Sequence, residues 1–163
     1  MEYRFPWMII AAAFLGAACS PDLPTDAELI ATFDDNRGGF EEVRQIVLEA
    51  PSIERIEEGG AELLPLSSAK RAAIARLMDE ADVNLIRGWK TPGGKQYVDF
   101  TFHRSGLAVG GAMKGIVWSN ARPAPPLLDS LDDPSDSRGF VTPTWFKANR
   151  PLKDGWYLYL SKD

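Results

Sequence analysis

The chain has 163 residues but one cysteine and one histidine, and those scarcities set the first limits. A lone cysteine forbids an intrachain disulfide. Structural zinc of the Cys/His type is not expected either, since it needs several such ligands and the chain has one of each. Positive charge is also in short supply. Eighteen Lys and Arg stand against 23 Asp and Glu, for a net charge of −5. Proteins that grip nucleic acid neutralise phosphates with a basic face. The densest basic stretch here, Lys70-Arg71 with Arg76, lies beside Asp79 and Glu80 and reads as a solvated helix face. Phosphate loops are missing too. Gly94-Lys95 is followed by Gln96, and Gly106 to Gly111 ends in Ala112-Met113, so neither completes the pattern that cradles a nucleotide. No cofactor is expected.

What the chain has in plenty is core-forming material. Apolar residues make up 45%, including 5 Trp, 4 Tyr and 8 Phe, while charged residues make up 25%. Those are proportions of a folded globular domain rather than a disordered chain. The length fits one domain.

The N-terminus stands apart. Arg4 precedes an apolar run from Trp7 to Leu15, followed by the small residues Gly16-Ala17-Ala18 and then Cys19. Charged start, apolar middle and small-residue end are the order of a secretory signal. The run is shorter than the roughly 20 residues a bilayer-spanning helix needs. The stretch Leu15-Gly16-Ala17-Ala18-Cys19 resembles a bacterial lipobox, although Gly16 stands where that pattern usually has Leu. The resemblance implies removal of residues 1–18 and a diacylglyceryl group on Cys19. A plain signal peptide cut near Ala18 is the alternative. Residues 19–24, with Pro21 and Pro24, form the lipidated cysteine and an extended tether. Ser20 rather than Asp follows the cysteine, which in lipoproteins of this kind implies the outer membrane, facing the periplasm.

Residues 25–163 are expected to form one α+β domain. Thr25-Asp26-Ala27-Glu28 has the spacing of a capping box. Apolar residues at Leu29, Ile30, Phe33, Phe40, Val43 and Val47 keep helical phase, predicting one helix over 26–49 weakened at Gly38-Gly39, or two shorter ones. Ser67 or Ser68 opens a second helical pattern with Ala69, Ala73, Ile74, Leu77, Met78 and Ala81 inward. Residues 51–66 are ambiguous. The rest changes period. Leu85–Lys90 is a short apolar-rich run, and Thr91-Pro92-Gly93-Gly94 fits a type II turn. Gln96–His103 alternates, with Val98, Phe100 and Phe102 opposite Tyr97, Asp99, Thr101 and His103. Leu107–Ser119 reads as a strand interrupted by glycines, which mark bulges or close backbone approach. Residues 120–139 read as a loop, 144–148 as a short strand and 155–160 as a strong one. Helices followed by strands predict two N-terminal helices packed on an antiparallel sheet of about four or five strands.

Three segments, Thr25–Phe33, Lys114-Gly115-Ile116-Val117-Trp118-Ser119 and Gly155-Trp156-Tyr157-Leu158-Tyr159, occur in an order that resembles small uncharacterised bacterial lipoproteins with an acidic first helix and a terminal Trp-Tyr-Leu-Tyr strand. In that pattern a Tyr is expected where Trp118 stands. The resemblance implies the architecture and no activity.

Few residues offer chemistry. His103, read as exposed on a polar strand face with Asp99 four residues earlier, is the one candidate general base. Asp129, Asp132, Asp133 and Asp136 lack the calcium-loop spacing and read as a solvated acidic loop. No catalytic or metal residue is therefore assigned, and Cys19 is the one site residue, for lipidation. The expected function is a non-enzymatic, cell-envelope lipoprotein that binds a protein or envelope partner and is held to the membrane through Cys19. The alternatives are a periplasmic hydrolase using carboxylates with His103, and an inhibitor or immunity-type lipoprotein.

Overall fold

The computed structural model describes residues 23–50, 53–105, 111–124, 126–132 and 146–162. Cys19 and the N-terminal segment before it lie outside them, as do Asp133 and Asp136. Helices α1 (Asp26–Asp35), α2 (Arg37–Glu49) and α3 (Ser68–Glu80) lie on one side of a six-stranded sheet. Its strands are β1 (Arg55–Glu57), β2 (Leu85–Lys90), β3 (Gln96–Ser105), β4 (Ala112–Ser119), β5 (Phe146–Pro151) and β6 (Trp156–Lys162). They run in the order β1-β2-β3-β4-β6-β5, every neighbouring pair antiparallel. This is the expected α+β architecture with one strand more than the sequence pattern predicts. The extra one is β1, a three-residue edge strand within the ambiguous stretch 51–66.

The capping box forms as its spacing requires. The Glu28 N–H donates to Thr25 Oγ1 at 3.2 Å, and the Thr25 N–H donates to Glu28 Oε2 at 2.7 Å. The helical phase runs on through residue 49, but the helix does not. It breaks at Asn36, whose side-chain amide donates to the Thr32 carbonyl at 3.0 Å and so competes with the backbone ladder. Gly38-Gly39 falls inside the first turn of α2 instead. A Cβ on Gly39 would stand 3.1 Å from Leu77 Cδ1, so the missing side chain lets α2 approach α3. Ser67 caps α3, and Ala73, Ile74, Leu77 and Met78 face inward, followed by Ala81. Ala69, expected inward, is exposed in the first turn of α3.

The β2–β3 turn differs from expectation in type. Gly94 donates to the Thr91 carbonyl at 2.9 Å, and Gly94 rather than Gly93 has the positive φ, at 78°. The loop is therefore a type I turn closed by a left-handed glycine, a common three-residue hairpin.

The core lies between helices and sheet. Phe33, Phe40, Phe100 and Trp156 meet with ring centroids 5.0–6.1 Å apart, within the range where aromatic pairs attract beyond their area burial. Leu131 joins this core too, so the described part of the 120–139 loop packs on the helix side of the sheet.

Gly115 shows why a glycine interrupts β4. A Cβ there would fall inside contact distance of the Phe100 carbonyl oxygen and 2.9 Å from Tyr159 Cε1. Backbone cannot yield as a flexible side chain can. Gly115→Ala is expected to cost about 1–3 kcal/mol by overpacking, read as a lower urea midpoint.

Candidate functional site

Cross-strand partners in an antiparallel sheet share a face, and successive residues alternate. One face therefore carries Ile86, Phe100, Ile116 and Leu158 under the helices, and the other carries Arg87, Asp99, Val117 and Tyr157. No helix covers the second face among the described residues.

At its centre sits a polar network. Asp99 and Thr101 were expected on a half-solvated side, yet they are 3% and 0% exposed. The Thr101 hydroxyl donates to Asp99 Oδ1 at 2.9 Å and lies 2.7 Å from the Tyr159 hydroxyl, which also reaches Asp99 Oδ1 at 3.1 Å. Arg87, one strand away, donates through Nε and a terminal nitrogen to Asp99 Oδ2. Burial pushes the Asp99 carboxyl up from its ordinary value, while Arg87, Thr101 and Tyr159 pull it down. Burial and the Asp99 charge together push the Tyr159 phenol up. No buried side-chain polar atom of the cluster lacks a partner, which is the condition for a buried network to be tolerated. Asp99 and Thr101 were legible as neighbours on one face. Arg87 and Tyr159 were not, because they come from strands 12 and 60 residues away in sequence from Asp99.

His103 does not join this network. The register of β3 shifts between Thr101 and His103, a bulge that begins just after the Thr101–Gly115 pair. Asp99 pairs with Val117, but His103 pairs with Lys114, three residues along β4 and so on the opposite face. The alternation expected from Gln96 to His103 holds only as far as Thr101. The imidazole is also half-buried rather than exposed, and its Nε2 is enclosed without a hydrogen-bond partner. Deleting an unsatisfied buried polar atom while keeping its volume is close to neutral or stabilising. His103→Leu is accordingly expected to be no less stable than the parent in urea denaturation. A drop of more than about 1 kcal/mol would mean that the imidazole has a partner worth a hydrogen bond.

A pocket of about 290 Å3 opens beside the bulge, lined by Glu57, Asn84, Leu85, Thr101, His103 and Arg104. One carboxylate, Glu57, reaches it, and Arg55 already holds that carboxylate in an ion pair. Ligand sites are mostly larger and predominantly apolar with a few placed polar groups. This pocket is small and polar, and the Asp99 carboxylate is not among its lining.

A second charged cluster, unforeseen in the sequence, lies on the helix side. Lys114 is 1% exposed, and its Nζ lies 2.9 Å from Asp26 Oδ1 and 2.6 Å from Asp132 Oδ1. Asp26 is also 1% exposed; its Oδ2 accepts from the Leu131 N–H at 2.8 Å and from Arg150 at 2.9 Å. Asp132 in turn accepts from the Asp26 N–H at 2.7 Å. Asp132 thus joins the loop to α1 and β4 while its side chain stays 42% exposed, and Asp129 is exposed as expected. Burial alone would raise the Asp26 carboxyl, but the Leu131 N–H and the Lys114 and Arg150 cations outweigh it and hold it below its ordinary value. The sequence signal was present: Lys114, Ile116 and Trp118 share one alternating face. Among the described residues, no group of three or more His, Cys, Asp or Glu side chains is placed to hold a metal ion.

The aromatics divide as alternation requires. Trp156, Leu158 and Leu160 are core, and Tyr157 and Tyr159 lie on the helix-free face. On that same face Trp89 is 45% exposed and stacks on Tyr97 at 5.1 Å between ring centroids, with planes 13° apart. Set against known protein families, curated proteins and solved structures, the chain matches none of them.

Proposed function

We propose that the chain is a cell-envelope lipoprotein, held through an acylated Cys19 in the outer membrane facing the periplasm, whose domain binds an envelope partner rather than catalysing a reaction. The observation that carries the binding reading is the Trp89–Tyr97 stack, a large aromatic surface left in solvent on the face without helices. Exposed Trp and Tyr are the residue types that dominate binding energy at interfaces. The hydrolase reading calls for carboxylates converging on His103; Asp99 pairs on the opposite face, and Glu57 alone of the carboxylates lines the pocket with it.

Anchoring is tested through Cys19→Ala. Labelled fatty acid is expected on the parent chain and not on the variant, which accumulates as precursor. Equal labelling of both would remove the anchor. The binding reading is tested by crosslinking in intact envelopes from a photoreactive residue placed at Trp89. A discrete adduct is expected from this position and not from an exposed helix position such as Ala75. The same adducts from both positions would sink it.

A further inference from the structure

The partner can be named more closely from the end of the sheet that bears Trp89. Three turns meet there. Asn120 accepts from the Gln96 N–H at 2.9 Å and donates to the Gly94 carbonyl at 3.4 Å, and the Ser119 N–H donates to the Gly155 carbonyl at 2.9 Å. The β2–β3 turn, the residues after β4 and the β5–β6 turn therefore form one rim. Its exposed cations are Lys90, Lys95, Arg122 and Lys153. Its one acid, Asp154, is paired with Arg37 at 2.6 Å. The four exposed cations pair with no carboxylate among the described residues. Asp34 and Asp35, exposed at the end of α1, belong to the helix layer. This rim is basic in a chain of net charge −5.

We infer that this rim docks on an anionic phospholipid surface, with Trp89 and Tyr97 at the level of the headgroups. The inference rests on the lipoprotein reading, which keeps the domain beside a bilayer. Amphipathic aromatic rings settle at the membrane interface, with an apolar body toward the chains and a polar edge toward water. Lysines beside them gain from the negative surface, and long side chains reach outward to it. The reach is sufficient. Six residues, Ser20 to Thr25, separate Cys19 from α1 and span at most about 20 Å when extended. The rim lies about 17 Å along β4 from Lys114, which touches Asp26 at the start of α1. Anchor and rim can therefore meet the same bilayer plane with the domain lying along it. An acidic protein would match the same charges, but the tether places the lipid surface at far higher local concentration.

The test uses the acylated chain reconstituted into vesicles of phosphatidylcholine, with and without phosphatidylglycerol, with bromine on the acyl chains to quench nearby tryptophan. Quenching is expected on the anionic vesicles, absent on pure phosphatidylcholine, lost in Trp89→Ala and reversed by salt, which screens exposed charges. Lys90→Gln and Lys95→Gln should each lower the docked fraction relative to the free about fivefold, the equivalent of about 1 kcal/mol per cation. Because Trp89 is exposed, the thermal transition of Trp89→Ala should stay at the parent value, separating lost docking from lost fold. Equal quenching in Trp89→Ala, or equal quenching without phosphatidylglycerol, overturns the inference. So does a Trp89 response that appears only when envelope proteins are added, which would make the occupant a protein. Mass spectrometry of the same sample separates the two readings. An unacylated mature chain sinks the anchor, whereas an acylated chain without Trp89-dependent quenching sinks the docking alone.

Discussion

Trp156→Ala is expected to unfold much of the domain under conditions where the parent is fully folded. The indole is 1% exposed and touches Phe33, Phe40 and Phe100, so it joins two helices to β3. Its Nε1–H donates to Glu41 at 2.8 Å, and the truncation would strip that carboxylate of its donor as well. Removing a buried large aromatic costs about 3–5 kcal/mol, against about 5–15 for a whole domain. Tyr157→Ala, one residue on, is the internal control. Its ring is half-buried on the helix-free face, and it should lose markedly less. Urea denaturation of the two variants decides the matter. Equal losses would mean that the helix-free face is as tightly packed as the core.

Lys114→Met should be nearly as damaging, by a different route. Methionine fills much of the lysine volume, so packing is kept while the charge is lost. Asp26 then keeps only Arg150 as a cation and Asp132 loses its ammonium partner, and breaking a buried ion pair by removing one partner costs about 3–5 kcal/mol. Adding Asp26→Asn removes the stranded charge while keeping an acceptor for the Leu131 N–H. The double variant should therefore be more stable than Lys114→Met alone, a coupling that a thermodynamic cycle measures directly. Simple additivity would show that the cluster is not coupled. The pH dependence follows from the same contacts. Asp26 titrates in the fold below its ordinary value of 3.8, so its contribution is present above that value and is lost as pH falls through the depressed folded value. The parent should show this steep acid limb, and Asp26→Asn should lack it.

Local chemistry wrote much of this architecture into the sequence. The Thr25–Glu28 capping box, the Ser67 cap, the inward stripe from Ala73 to Ala81 and the alternation of β6 all act over a few residues, and all appear as read. The Gly115 interruption was also legible as a close approach, though not its partner. What tertiary structure alone decided is which side of each element meets what. The bulge after Thr101 follows the close approach of β3 to Gly115, and it moves His103 to the face opposite Asp99. Lys114 is buried because residues 26, 132 and 150 bring it two carboxylates and a neighbouring guanidinium. Asp99 is buried because Arg87 and Tyr159 arrive from other strands to satisfy it. Periodicity can say that a polar residue shares a face with its neighbours two along. Whether that residue lies in water or in a closed network depends on groups distant in the chain, since burying a charge is tolerable only where the fold delivers its partners.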